Sequence, residues 1–163
     1  MNGDADKNTI IDAIAPCAFC CFTCAAKNGG VIAETSTNLV HYLEGYYEFT
    51  KRNLPFSRRS YSRKVKFLIN ELEHMSERPC NGCRAGSDKR CCIPNCFISE
   101  CVKIHSVDFC GECSEFPCEK ASEFFKGDTY TQWKLNNESI KNDGAEKYYE
   151  YACSHSHYDF YHR

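Results

Sequence analysis

The chain carries the stretch FCGECSEFPC at residues 109–118, in which three cysteines lie within nine positions. Cys110 and Cys113 are separated by two residues, a gap that lets both sulfurs of one tight turn reach the same tetrahedral metal ion. The glycine between them permits the unusual backbone angles of such a turn. Cys80 and Cys83 repeat this spacing earlier in the chain. Two such pairs with further cysteines between them indicate metal binding.

Cysteine is abundant, with 14 in 163 residues, and it is grouped rather than scattered. Four cysteines lie in a hook at residues 17–24, nine lie in a block at residues 80–118, and Cys153 stands alone. The amino-terminal sequence lacks the pattern of a secretory signal, and no apolar run is long enough to cross a membrane. We therefore expect a cytoplasmic protein without a membrane partner, whose thiols stay reduced and bind metal rather than form disulfides.

Twelve of the cysteines are predicted metal ligands, enough for three four-sulfur sites, with two sites equally allowed: Cys17, Cys21, Cys24, Cys80, Cys83, Cys91, Cys92, Cys96, Cys101, Cys110, Cys113 and Cys118. The predicted cofactor is zinc, as two or three ions. Structural zinc supplies about 10–16 kcal/mol of apparent binding free energy in small peptides, and the block has no long apolar run that could order it otherwise. Cys20 and Cys153 are left out of this ligand set.

Histidines offer alternative ligands. His105 lies between two block cysteines and could replace a sulfur, although a solvent-facing position on a helix explains it as well. His155 and His157 could form a metal pair, or their rings could pack back on the cysteine block or its neighbouring helices. The sequence leaves both alternatives open.

The hook raises a second possibility, because Cys17, Cys21 and Cys24 have the CxxxCxxC spacing with which radical S-adenosylmethionine enzymes hold an iron–sulfur cluster. Those enzymes need repeated strand and helix patterns, which do not follow here. A cluster in another role, in an enzyme or redox protein, remains an alternative to zinc. No hydrolase, nucleotide-binding or metalloprotease motif is present, so the sequence favours a protein that is not an enzyme.

The cysteine-free spacer is predicted to form a helical hairpin over residues 33–78. Apolar residues recur at three- and four-residue intervals, as on the buried face of amphipathic helices. Those of the first helix are Leu39, Val40, Leu43, Tyr46, Tyr47 and Phe49, and those of the second are Val65, Leu68, Ile69, Leu72 and Met75. Pro55 separates the two helices, and we expect these side chains to form the core.

A basic stripe accompanies the hairpin: Lys51, Arg52, Arg58, Arg59, Arg63, Lys64 and Lys66. Such a run is typical of a solvated helix face. Because the formal net charge of the whole chain is −2, the alternative of a nucleic-acid-binding module is supported by this stripe alone.

The predicted fold is α-rich and irregular: one small metal-stabilised domain, residues 1–163, with zinc-knuckle-like or zinc-ribbon-like cysteine loops and amphipathic helices. Its segments are a hook at 14–30, the hairpin at 33–78, the cysteine block at 80–118 and a helical tail at 119–163. The predicted function is that of an interaction or binding module with a structural metal, whose partner is a protein.

The order of the cysteines resembles a known family. The matching motifs are Cys17-x3-Cys21-x2-Cys24, Cys80-x-Gly-Cys83, the run from Cys92 to Cys101, and Phe109 to Cys118, with Trp133, Gly144 and His157-Tyr158 in the tail. Over residues 14 to 158 the chain resembles the prokaryotic proteins grouped as domain of unknown function 3795. The resemblance implies a small cytoplasmic zinc-binding protein and carries no activity over. Ala18 stands where the family usually has glycine, and Cys20 and Cys91 are additional thiols.

Overall fold

The computed structural model describes residues 5–53, 55, 59–85, 93 and 96–162. Within those residues the chain is α-rich, as predicted, and contains no strand. The α-helices are α1 (Lys7–Ala13), α2 (Val31–Asn53), α3 (Arg59–Ser76), α4 (Ile98–Ile104), α5 (Glu119–Phe124), α6 (Gly127–Asp143) and α7 (Ala145–Ser154), with 3₁₀ helices at Cys110–Glu112 and Asp159–His162. None of the described helices is long and apolar enough to cross a membrane.

The chain divides into two compact units. Met1–Cys24 and Cys80–Arg163 form the first, which we call the cysteine unit, and Ala25–Pro79 forms the second, the hairpin unit. The first unit joins the cysteine hook, the cysteine block and the tail, although 55 residues separate hook and block in sequence. The predicted single domain over residues 1–163 stays a prediction.

The hairpin unit consists of α2 and α3, which pack against each other. Val65 and Ile69 of α3 are buried, in agreement with the apolar pattern. The expectation that the whole pattern forms the core is wrong, because Tyr46, Phe49 and Leu68 are exposed. Each helix of a two-helix hairpin buries a strip against one neighbour, and the apolar face is broader than that strip.

The cysteine unit is built around Trp133 of α6, whose side chain is fully buried. Its ring packs against Phe116, Phe125 and Tyr130 at centroid distances of 5.1, 6.0 and 5.6 Å. This aromatic core also contains Cys17 of the hook and Cys110 of the block. Five further cysteines of the two groups pack against this core: Cys21, Cys83, Cys96, Cys113 and Cys118.

Candidate metal centre

Four predicted ligands line one small cavity of about 20 Å³: Cys101, Cys110, Cys113 and Cys118. We call them the block sulfur group. They come from three chain segments. Cys101 lies on α4, Cys110 begins the 3₁₀ helix and Cys113 follows it, and Cys118 directly precedes α5. Trp133, Phe116 and His105 line the same cavity. The fold thus brings to one place four thiols that are up to 17 positions apart in sequence.

The block sulfurs influence one another electrostatically. The pKa of Cys110 is raised to about 12, chiefly by burial and against the lowering effect of the Trp133 indole N–H, with a further contribution from the neighbouring Cys101, Cys118 and Cys113. Burial and then Cys118 likewise raise the pKa of Cys101. Several thiolates around one small cavity are unfavourable without a cation, which a bound metal would supply.

The 3₁₀ turn that carries Cys110 and Cys113 is fixed from both ends. The Glu112 carboxylate accepts hydrogen bonds from the backbone N–H groups of Asp108 (2.9 Å) and Phe109 (3.0 Å). On the other side, a Cβ added to Gly111 would clash with the backbone carbonyl oxygen of Asn137. Gly111 does not have the unusual backbone angles expected from the sequence, and it is the close approach of α6 that requires a glycine here.

Asn137 joins the block to the hook. Its Oδ1 accepts the Gly111 backbone N–H at 2.7 Å, and its Nδ2 donates to the carbonyl oxygens of Cys17 (3.1 Å) and Trp133 (2.8 Å). The side chain is fully buried, so these hydrogen bonds satisfy both polar atoms of its amide. The sequence contains a signal for this role, because asparagine is unfavourable inside helices unless its side chain makes specific hydrogen bonds. Asn136 and Asn137 are adjacent in α6.

A second set of sulfurs surrounds Arg84. Burial lowers the pKa of this guanidinium, while the Asp108 carboxylate and the thiols of Cys21, Cys83 and Cys17 raise it. We call these three cysteines the hook sulfur group. Hook and block each contribute to it, so cysteines from both groups act electrostatically on one cation.

Arg84 also holds the surrounding backbone in place. One of its guanidinium nitrogens donates to the carbonyl oxygens of Ile11 (2.9 Å) and Ile14 (2.8 Å), and the other donates to that of Asp108. Its guanidinium lies 5.2 Å from the centre of the Phe109 ring. Sequence reasoning missed this residue, because a single arginine beside Cys83 carries no motif.

The remaining predicted ligands occupy different surroundings. Cys24 lies 3.8 Å from the Tyr158 hydroxyl of the tail, while Cys80 and Cys96 are half-buried. Cys91 and Cys92 lie outside the described residues. His105 is exposed and follows α4 directly.

The two predicted tail histidines differ. His155 stacks on Tyr151 at 4.2 Å, and its Nδ1 lies 2.8 Å from the Tyr151 carbonyl oxygen. His157 packs edge-on against Phe19 of the hook at 5.7 Å, and burial lowers its pKa. Each ring thus packs against a neighbouring aromatic side chain.

Cys20 and Cys153, the two cysteines outside the predicted ligand set, contact each other. Their side chains share a hydrogen bond that lowers the pKa of Cys20 to about 6 and raises that of Cys153. Thr23 and the backbone at Phe22 also donate to the Cys20 sulfur. No sequence motif indicated this pair, whose two members are 133 positions apart.

The residues fit a thiolate-bound metal in their chemistry. The buried Trp133 indole N–H has no hydrogen-bond partner of good geometry among the described residues. The thiol whose pKa this N–H lowers is that of Cys110. A metal-bound thiolate is a good acceptor for such a donor. However, no three histidine, cysteine or acidic side chains in the described part of the chain lie close enough together to hold a metal ion as they stand. To hold a metal ion, these thiols would have to move closer together.

Comparisons with known proteins identify the family. Neither the curated proteins nor the solved structures contain a match to the chain. The family model described as "Protein of unknown function (DUF3795)" matches residues 13–123. That range covers the hook, the hairpin and the whole cysteine block, and so the chain belongs to the DUF3795 family.

Proposed function

We propose that the protein is a cytoplasmic zinc-binding protein in which the metal is structural and lies in the cysteine unit. The observation that carries this proposal is the block sulfur group, in which four cysteines from three chain segments line one small cavity. Four thiols and no carboxylate fit a closed site, whereas catalytic zinc keeps one position open for water or substrate. The loops around these cysteines would then be zinc-knuckle-like.

The hook sulfur group is the natural place for a second ion. Cys17, Cys21 and Cys83 share the surroundings of Arg84, and Cys24, Cys80 and Cys96 are the candidates for a fourth sulfur. A zinc ion held by four thiolates would carry a net charge of −2, and the half-buried Arg84 beside it would offset part of that charge. A third ion would need Cys91 and Cys92.

The hairpin unit would supply the interaction surface. Tyr42 and Phe49 of α2 and Phe67 of α3 are 75%, 56% and 66% exposed, and exposed large apolar side chains can mark an interaction surface. Lys64 and Lys66 lie beside Phe67 on α3 and are exposed. These features favour a protein partner whose surface combines apolar with acidic residues, because aromatic anchors and complementary charge are the usual sources of affinity and specificity.

Elemental analysis of the protein purified without oxygen tests the metal proposal. We expect two or three zinc ions per chain and no visible absorption from an iron–sulfur cluster. A brown protein that contains iron and sulfide would contradict the zinc proposal and favour the redox alternative. A metal-free protein with full helical content would contradict both.

Substitutions on α3 test the interaction surface. A native partner should co-purify with the wild type and should not co-purify with the Phe67→Ser variant. The partner, once purified, should bind again to the purified wild type. Glu71→Ser, an exposed change on the same helix, is the control and should retain the partner. Salt-dependent binding of RNA or DNA that is lost with Lys64→Glu and Lys66→Glu would instead support the nucleic-acid alternative.

A further inference from the structure

The hairpin unit exposes a row of large apolar side chains along α2. Leu39, Tyr42, Tyr46 and Phe49 recur at intervals of three and four residues, and all four are exposed. Each lies one position before a residue of the buried or half-buried side that packs on α3, as Phe49 lies before the buried Thr50. One position is a rotation of about 100° along a helix. α2 therefore has two apolar sides at roughly a right angle, as in a four-helix bundle, where each helix packs against two neighbours.

The neighbouring helix continues this second side. Tyr61 and Leu68 of α3 are exposed and directly precede the half-buried Ser62 and the buried Ile69. The hydroxyl oxygens of Tyr46 and Tyr61 lie 3.1 Å apart, so the exposed rows of the two helices adjoin. We call the following six residues the hairpin face: Leu39, Tyr42, Tyr46, Phe49, Tyr61 and Leu68.

The register of the two helices places two leucines of the hairpin face side by side. Because only residues 54–58 join α2 to α3, the two packed helices run antiparallel. Leu39 precedes Tyr46 by seven residues, and Leu68 follows Tyr61 by seven. Leu39 and Leu68 therefore lie at the same level of the hairpin, about 10 Å from the contact between the two tyrosines.

The charges of α3 are separated along its length. Its first half carries four cations and no carboxylate, and its second half carries two carboxylates and no lysine or arginine. This is the reverse of the arrangement that the helix dipole favours. α2 does not compensate for it, because Glu48 at the adjoining end already pairs with Lys51 (3.2 Å) and Arg52 (3.6 Å) of α2 itself. The charged residues of α3 are, in order, Arg59, Arg63, Lys64, Lys66, Glu71 and Glu73.

We propose that two copies of this chain form a homodimer in which their hairpin faces pack together as a four-helix bundle, with each α3 antiparallel to α3 of the other copy. A two-fold interface requires a surface that is complementary to itself. Lys64 lies four residues before Leu68 and Glu71 lies three after it, so Lys64 of each copy meets Glu71 of the other. Neither residue forms an ion pair within the described part of the chain. Leu39 and Leu68 of both copies form the central layer.

The charges also select this arrangement over the other two-fold packing of two hairpins. That alternative stacks each α3 on α2 of the other copy and brings the basic half of α3 beside Lys51 and Arg52 there. The inference rests on the proposed role of the hairpin as an interaction surface, and it gives a second copy of the chain as the occupant of the hairpin face. Phe67 lies on the side of α3 opposite to the buried Val65 and Ile69, outside this face, so a different protein partner can still bind there.

Light scattering of the full metal-loaded chain under reducing conditions measures the mass in solution. We expect the wild type to have about twice the 18.7 kDa of one chain. Leu68→Ser, at the same concentration, should have the mass of a single chain, because it places a polar side chain in the central layer. Phe67→Ser is the matched control one position away and should stay dimeric. Circular dichroism checks that both variants keep the helical content of the wild type.

An exchange of charges tests whether the occupant is a second copy. Lys64→Glu places two carboxylates opposite each other twice per dimer and should raise the dissociation constant of the dimer about tenfold. Adding Glu71→Lys to this variant restores opposite charges and should return the dissociation constant to within about threefold of the wild-type value.

Three results would overturn the inference: a monomeric wild type, a dimer that Leu68→Ser leaves unchanged, or a double variant that dimerises no more tightly than Lys64→Glu alone. A monomeric wild type that still retains a different protein, and loses it with Phe67→Ser, would overturn the homodimer and leave the proposed interaction surface standing. The failure of this inference is therefore distinguishable from the failure of the proposed function.

Discussion

The two units of the chain differ in what can order them. The hairpin unit contains helices of 23 and 18 residues and no cysteine, whereas the cysteine unit contains all 14 cysteines. Three of its helices, α1, α4 and α5, have only seven, seven and six residues. Isolated helices shorter than about 12–15 residues are marginal in water. The cysteine unit therefore needs a source of order beyond helix propensity, and clustered thiols can supply one by binding metal.

Metal removal should separate the two units most strongly. We expect a chelator to unfold the cysteine unit, because structural zinc contributes about 10–16 kcal/mol at small thiolate sites, and to leave much of the hairpin helicity. The chain's only tryptophan, Trp133, lies in the core of the cysteine unit, so its fluorescence should shift toward that of exposed indole. The far-UV circular dichroism signal should fall by a smaller fraction than it would on complete unfolding, because the hairpin helices remain. Unchanged fluorescence and melting temperature after complete metal removal would show that the metal is not structural.

A pair of glycine substitutions sharpens the same comparison. Gly111→Ala should destabilise the cysteine unit by at least about 1–3 kcal/mol, because the new methyl group clashes with the α6 backbone. Gly45→Ala is the matched change in the middle of α2, where a Cβ meets no neighbour, and it should stabilise the hairpin by about 0.5–1 kcal/mol. Denaturant unfolding followed by Trp133 fluorescence and by circular dichroism measures both. Equal effects of the two changes would contradict the described packing of the 3₁₀ turn that carries Cys110 and Cys113.

The Glu112 carboxylate provides a smaller test within the cysteine block. Glu112→Ala removes the acceptor for two backbone N–H groups before the turn and should cost about 1 kcal/mol, as the loss of a helix cap does. Glu115→Ala is the control in the same loop. The difference in unfolding free energy between the two variants reports the capping contribution, and no difference would mean that Glu112 only solvates the surface.

The smallest effect is expected at Ala18, which has a positive φ of 62°. Glycine adopts this region freely, whereas alanine pays about 1–2 kcal/mol for left-handed backbone. Ala18→Gly also removes a fully buried methyl group, worth about 0.8 kcal/mol, so the two effects nearly cancel. Ala15→Gly, in the same hook and also buried, lacks the compensation. We expect it to lower the unfolding free energy by about 1 kcal/mol more than Ala18→Gly.

Local patterns predicted the hairpin and tail helices, because hydrophobic periodicity and helix-ending residues act over a few positions, but they did not predict α1 or α4. The helix over Arg59–Ser76 follows from the recurrence of Val65, Leu68 and Ile69. The same recurrence overpredicted burial, since periodicity shows which side chains share a face but not how wide the neighbouring element is. Phe49 and Leu68 are exposed for that reason.

The candidate site was predictable in composition but not in assembly. Spacing identified Cys110 and Cys113 as members of one turn, and it did not reveal that Cys101 and Cys118 line the same cavity. Nor did it indicate Asn137 or Arg84, whose contacts span 120 and 70 positions of sequence. Those contacts depend on tertiary packing, which short motifs do not encode.

The zinc content of single-cysteine variants tests the central claim most directly. Cys113→Ser should contain one zinc ion fewer per chain than the wild type, because it removes a ligand from the block sulfur group. Cys153→Ser, which changes a cysteine outside the proposed ligand set, should retain the full count. Equal zinc content in all three proteins, or a wild type that binds no zinc, would contradict a structural metal held by the block cysteines.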